Sequence, residues 1–207
     1  MEVLRHERDA IGFYLSAHPL ESYAGLLAAR RVLPAAHLRE RVGAESSHLA
    51  LAGTVERKAE RRSQRGSRYA HVTLSDQTDE FDVTVFSELL ASAGELLEPG
   101  TSVLVMVEAR AEGENLRLTA QTIQALDQVA AQQAASLQVW VEGPEPVREL
   151  RRILGTGANG KASVSIVVRP GPAAREVEIA LPGKFALTPA VREAIARTHG
   201  VAALREA

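Results

Sequence analysis

At about residue 49 the apolar period of the chain changes from near four to two, and outside residues 87–98 it stays near two as far as residue 122. Side chains of a strand alternate between two faces, so a period of two sustained over several short runs means a sheet with one buried side. Residues 48–58 read as a first strand and residues 61–66, Arg-Arg-Ser-Gln-Arg-Gly, as a loop. Residues 68–75 place Ala70, Val72 and Leu74 on one face and Tyr69, His71 and Thr73 on the other. After a turn at 76–79, Phe81, Val83 and Val85 alternate with Asp82, Thr84 and Phe86. Residues 87–98 predict a short helix with Ser87 as its N-cap. Pro99-Gly100 then leads to a strand through Val103, Val105 and Val107, a hairpin loop at 111–114, and a fifth strand through Leu116, Leu118 and Ala120. Five strands with a helix between the third and fourth is the element order of an OB-fold barrel.

The flanks differ. Residues 2–17 carry Val3, Leu4, Ile11 and Leu15 near helical spacing, and His18-Pro19 should end that helix. Residues 20–29 restart it, and 35–41 form a short amphipathic stretch between Pro34 and Gly43. Residues 127–136 read as a linker or helical connector. Beyond it the order is strand (137–142), helix (144–154), strands (162–169 and 176–181) around Pro170-Gly171-Pro172, and helix (189–198) with Thr188 as N-cap and Gly200 closing it. The expected fold is mixed β and α+β: a helical lead-in (1–47), a five-stranded OB-fold (48–126), a linker (127–136) and a small β-α-β-β-α domain (137–207).

Composition narrows the chemistry. The chain has no cysteine, which removes disulfides, thiolate metal sites and cysteine nucleophiles. No apolar run is long enough to span a bilayer and the N-terminus lacks a signal-like apolar core, so the expectation is a cytoplasmic protein with no membrane partner. The net charge of −2 is unevenly placed. Residues 49–126 carry twelve acids and eight bases, yet six of those bases fall at Arg57, Lys58, Arg61, Arg62, Arg65 and Arg68, with Glu60 the one acid among them.

A basic loop between the first two strands of an OB-fold borders its usual ligand face, where bases stack on aromatics and phosphates meet Arg or Lys. The candidate nucleic-acid-binding residues are therefore those six bases with Gly66, Tyr69, His71, Thr73 and Phe86. Six phosphate contacts would give a salt slope of about −4 on a single strand. Asp82 on the same face opposes them. The plainer alternative is a solvated loop, or a protein-interaction module whose basic loop meets an acidic partner.

Other patterns carry less. Residues 155–162, Gly-Thr-Gly-Ala-Asn-Gly-Lys-Ala, approach a phosphate-binding loop, but Ala162 stands where the hydroxyl is needed and the glycines follow a helix and precede a strand. Asp76, Asp79, Glu80 and Asp82 read as a hairpin turn and its flank, without the glycine-centred spacing of a calcium loop. The six histidines show no paired ligand spacing. No catalytic residue, metal ligand or cofactor site is expected.

Residues 6–20, His-Glu-Arg-Asp-Ala-Ile-Gly-Phe-Tyr-Leu-Ser-Ala-His-Pro-Leu, resemble a segment of the bacterial replicative DNA polymerase III alpha subunit. Arg65-Gly66, Ala70-His71-Val72-Thr73-Leu74-Ser75-Asp76 and Val83-Thr84-Val85-Phe86 resemble that family's OB domain, and residues 181–190 its extreme C-terminal domain. His71 stands where the family usually has an aromatic, and Asp79 where it has glycine. The resemblance implies a C-terminal piece of a DNA-directed DNA polymerase, a nucleotidyltransferase whose catalytic domains lie upstream, so that this chain alone is not an enzyme. It also implies contact of the OB segment with single-stranded DNA. The tail would dock to the clamp-loader tau subunit, tying the chain to the remainder of the polymerase III holoenzyme in DNA replication.

Overall fold

The computed structural model describes residues 18–64, 66–113, 115–133, 136–156, 158–168 and 176–206. The helix expected at 2–17, Arg65 and the turn at 170–172 lie outside the described residues. The chain forms two compact units that divide between Leu126 and Asp127.

In the first unit, strands β1 (Ser47–Arg62), β2 (Arg68–Ser75), β3 (Glu80–Phe86), β4 (Ser102–Glu112) and β5 (Asn115–Ala125) close into a barrel in the order β1-β2-β3-β5-β4. All neighbours are antiparallel except β3 and β5, which meet in parallel at Thr84 and Thr119. The alternation in the sequence is the alternation of burial. Ala70, Val72 and Leu74 of β2 and Val83 and Val85 of β3 point inward at 0–1% exposure and meet Leu51, Val55, Val103, Val105 and Val107 in one core. Each of these valine and leucine side chains contributes about 1.5–3 kcal/mol relative to leaving it in water. Gly53 lets the barrel close tightly: a Cβ there would lie 2.7 Å from the Leu74 Cβ.

The helix between β3 and β4 is shorter than the sequence suggests. It runs from Ser87 to Ala93 and continues as a 3-10 turn over Gly94–Leu97. Phe86, not Ser87, occupies the N-cap position, with no side-chain cap. Leu90, Ala93 and Leu97 close one end of the core. The lead-in is a 3-10 turn (Pro19–Tyr23) with α1 (Ala24–Ala29), then a 3-10 turn (Ala35–His37) with α2 (Leu38–Arg41). Ala35, Leu38 and Val42 join the barrel core. The Asp76 carboxylate fixes the β2–β3 turn by accepting from the Thr78 and Asp79 amides, and it also accepts from the Ala35 amide at 2.7 Å.

The second unit is a four-stranded sheet in the order β8-β7-β6-β9, built from β6 (Ser136–Val141), β7 (Ala158–Val168), β8 (Val177–Ala180) and β9 (Val201–Glu206). The third helix, after β3, is α3; α4 (Leu126–Ala131) begins at the divide; α5 (Val147–Thr156) and α6 (Pro189–Ala196) belong to the second unit. The parallel β6–β7 pair is joined through α5, whose Leu150, Ile153 and Leu154 cover Leu137, Val139, Val164 and Ile166. Thr188 caps α6 by accepting from the Val191 amide, and Gly200 takes φ +83° beyond its end. β9 is an addition to the expected β-α-β-β-α order; it pairs antiparallel with β6. Gly160 lies inside β7, where a Cβ would fall 2.0 Å from the Phe185 carbonyl oxygen. At this position of the phosphate-loop-like run, glycine serves close backbone packing.

Candidate nucleic-acid interface

The basic segment 57–68 is a hairpin rather than a loop. β1 continues through Arg62 and pairs with β2 as far as Arg62 opposite Arg68. The connection beyond Arg62 is closed by the Ser63 amide on the Ser67 carbonyl (2.9 Å) and the Gly66 amide on the Ser63 carbonyl (2.9 Å). Gly66 sits at φ +82°, the left-handed region that glycine enters without strain. Cross-strand pairing overrides the polar composition of this arm.

A bulge decides which face each base takes. Val55 stands opposite Leu74 and Arg57 opposite Thr73, so β1 advances two residues where β2 advances one. Directly opposed residues share a face. The extra residue, Glu56, therefore inverts the parity of everything beyond it.

On the outer face this produces three rungs across β1, β2 and β3. The first is Arg61–Tyr69–Phe86, the second Ala59–His71–Thr84 with Thr119 of β5 alongside, the third Arg57–Thr73–Asp82. Phe86 is 46% exposed, a large value for its type. Tyr69 and His71 meet edge to face with ring centroids 5.3 Å apart. Arg61 and His71 are exposed, and Arg61 has no ion pair among the described residues.

The opposite face takes Lys58, Glu60, Arg62 and Arg68. Lys58 is largely covered, and its Nζ donates to Glu98 at 2.6 Å and to the Gly94 carbonyl at 3.4 Å. Arg68 donates to the Glu60 carboxylate, and this hydrogen bond, more than the nearby positive charges, holds the Glu60 pKa below its ordinary value. Lys58 and Arg68 thus brace the hairpin. Of the proposed contact residues, Arg57, Arg61, Tyr69, His71, Thr73 and Phe86 come together on one face. Lys58, Arg62 and Arg68 lie on the other, and Gly66 shapes the turn.

The third rung borders an open groove that the β4–β5 hairpin and α2 help to line, through Asn115, Leu116 and Arg39. Thr84 lies on this face as the alternation of β3 predicts, but Arg39 and Thr119 were not legible as interface residues: the lead-in carries no signal that it folds against the barrel mouth, and nothing in the sequence of the fifth strand pairs Thr119 with β3. The groove also holds acids. Asp82 accepts from the Thr73 hydroxyl at 2.7 Å, and Glu80 lies 3.9 Å from the Arg57 guanidinium. Among the described residues no group of three or more His, Asp or Glu is placed to hold a metal ion, and no helix is long and apolar enough to cross a membrane.

A closed five-stranded barrel with this outer face defines an OB-fold module, and residues 49–126 match the tRNA_anti-codon family, an OB-fold nucleic acid binding domain. The chain corresponds over its whole length to a part of the DNA polymerase III alpha subunit family. It is 32% identical over 207 residues to DNA polymerase III subunit alpha of Caulobacter vibrioides, covering 100% of this chain and 18% of that protein. It is 32% identical over 133 residues to the Thermus aquaticus subunit, covering 61% of this chain and 10% of that one. The chain therefore spans less than a fifth of these relatives, and the part it spans is a binding module. Among solved structures, the mitochondrial single-stranded DNA binding protein Rim1 of S. cerevisiae is 26% identical, covering 40% of this chain and 97% of that one, with a TM-score of 0.35.

Proposed function

We propose that the outer face of β1–β3 binds unpaired DNA for a replicative polymerase. The rung Arg61–Tyr69–Phe86 carries this reading, because it sets a guanidinium beside two rings on an accessible face. Phosphates would meet Arg61 and Arg57, and bases would stack on Phe86 and Tyr69; the OB-fold family match and the polymerase relatives support the same reading. The second unit would tether the polymerase to the clamp-loader tau subunit and so to the rest of the holoenzyme, a role that rests on sequence resemblance alone. A place in replication implies the cytoplasm.

The test is fluorescence anisotropy of a labelled single-stranded oligonucleotide with the 207-residue chain at about 50 and about 200 mM salt, against a duplex of equal length. Salt-sensitive binding that favours the single strand supports the reading. Absence of binding at low salt leaves a protein-interaction module, with the hairpin meeting an acidic partner.

A further inference from the structure

The charge of the outer face is graded along the strands. At the hairpin end stand Arg61, Tyr69 and Phe86; four residues further along β2, about 14 Å at roughly 3.4 Å per residue, the third rung holds Asp82, with Glu80 beside Arg57. Both carboxylates sit on strand β3 and are exposed. Arg57, itself well exposed, has Glu80 at 3.9 Å and shares its rung with Asp82. The groove there sets three carboxylates, Asp79, Glu80 and Asp82, against two arginines, Arg57 and Arg39, so a phosphate moving on past Arg57 would meet net negative charge, and like charges repel even in partly solvated surroundings.

We propose that Asp82 and Glu80 are specificity-determining residues that end a bound strand at Arg57, in the third rung, so the face selects a short unpaired segment between the hairpin end and that arginine. The inference rests on the nucleic-acid reading above. The footprint would then lie at the low end of the ~4–16 nucleotides an OB-fold accommodates. Asp82→Asn keeps an oxygen to accept from Thr73, and Glu80→Gln releases Arg57; neither touches the core.

The experiment is an anisotropy series with labelled oligothymidylates of about four to sixteen nucleotides, comparing the full chain with the D82N/E80Q double variant at about 50 mM salt. The proposal expects affinity of the parent chain to plateau near the short end. In the double variant the plateau should move to longer oligonucleotides, with at least about a threefold gain for the longest, a change on the order of 0.65 kcal/mol. Binding by both proteins with the same plateau and the same affinities overturns the proposal and leaves the nucleic-acid reading standing. Binding by neither overturns both.

Discussion

Arg61 stands directly opposite Tyr69 in the β1–β2 ladder, and Tyr69 in turn faces Phe86 of β3. That register puts one guanidinium and two rings on a single rung, which neither strand could arrange alone. Base–aromatic stacking is worth about 1–3 kcal/mol per base. Tyr69→Ala and Phe86→Ala should each weaken single-strand binding by about that amount. Their thermal midpoints should stay near the parent value, since both rings lie outside the core. Titration of an oligonucleotide with each variant, alongside a melting curve, checks both halves.

The lead-in is joined to the barrel by a hydrogen-bonded chain with a defined tautomer. Ser75 donates to Glu56 at 2.6 Å, so the contact of Ser75 Oγ with His18 Nε2 at 3.1 Å needs a proton on Nε2. His18 Nδ1 accepts from the Leu20 amide at 3.1 Å and so caps the first 3-10 turn. Burial lowers the His18 pKa from its ordinary 6.5, against the opposing pull of the Asp76 and Glu56 carboxylates. The unfolded chain therefore takes up this proton first. Stability from this group is constant above the unfolded value and falls as pH drops through 6.5 toward the lowered folded value. Urea midpoints measured from about pH 7.5 to about pH 5.5 should decline, and His18→Gln should flatten that decline.

Gly160 makes the second unit sensitive to a single methyl group. A Cβ there would overlap the Phe185 carbonyl and the Ala186 amide, both backbone atoms that cannot swing away. Gly160→Ala should destabilise the second unit by about 1–3 kcal/mol or more. Amide exchange resolves where: β6 and β7 should lose protection while β2 and β3 keep theirs. A variant with unchanged exchange in β7 would mean that the strand repacks without cost.

The barrel was readable because β2 and β3 alternate between buried and solvent-facing residues. Val72 and Val83 are buried neighbours whose flanking residues are polar, whereas in β4 Val103, Val105 and Val107 face the core with apolar Leu104 and Met106 between them. Beyond Lys58 the basic arm was not readable as strand. Residues 59–62, Ala-Glu-Arg-Arg, have no apolar alternation to report a register, and their pairing with β2 supplies what composition lacks. The bulge at Glu56 left no trace in the sequence either, yet it assigns Arg57 and Arg61 to the face with the rings. In the tail, Val201–Glu206 is rich in good helix formers, and tertiary pairing with β6 overrides that preference. Thr188, by contrast, declared itself as an N-cap because capping is a local interaction.

Parity across the bulge is the central claim, and charge-matched variants test it most directly. Arg57→Ala/Arg61→Ala removes two positive charges from the outer face, whereas Arg62→Ala/Arg68→Ala removes two from the opposite face of the same hairpin. The measurement is the slope of log affinity against log salt for a single-stranded oligonucleotide. The outer-face pair should reduce its magnitude by about 1.4, at roughly 0.7 per phosphate contact, and the opposite-face pair should leave it nearly unchanged. Equal reductions in the two variants, or a larger one for Arg62 and Arg68, would contradict the account.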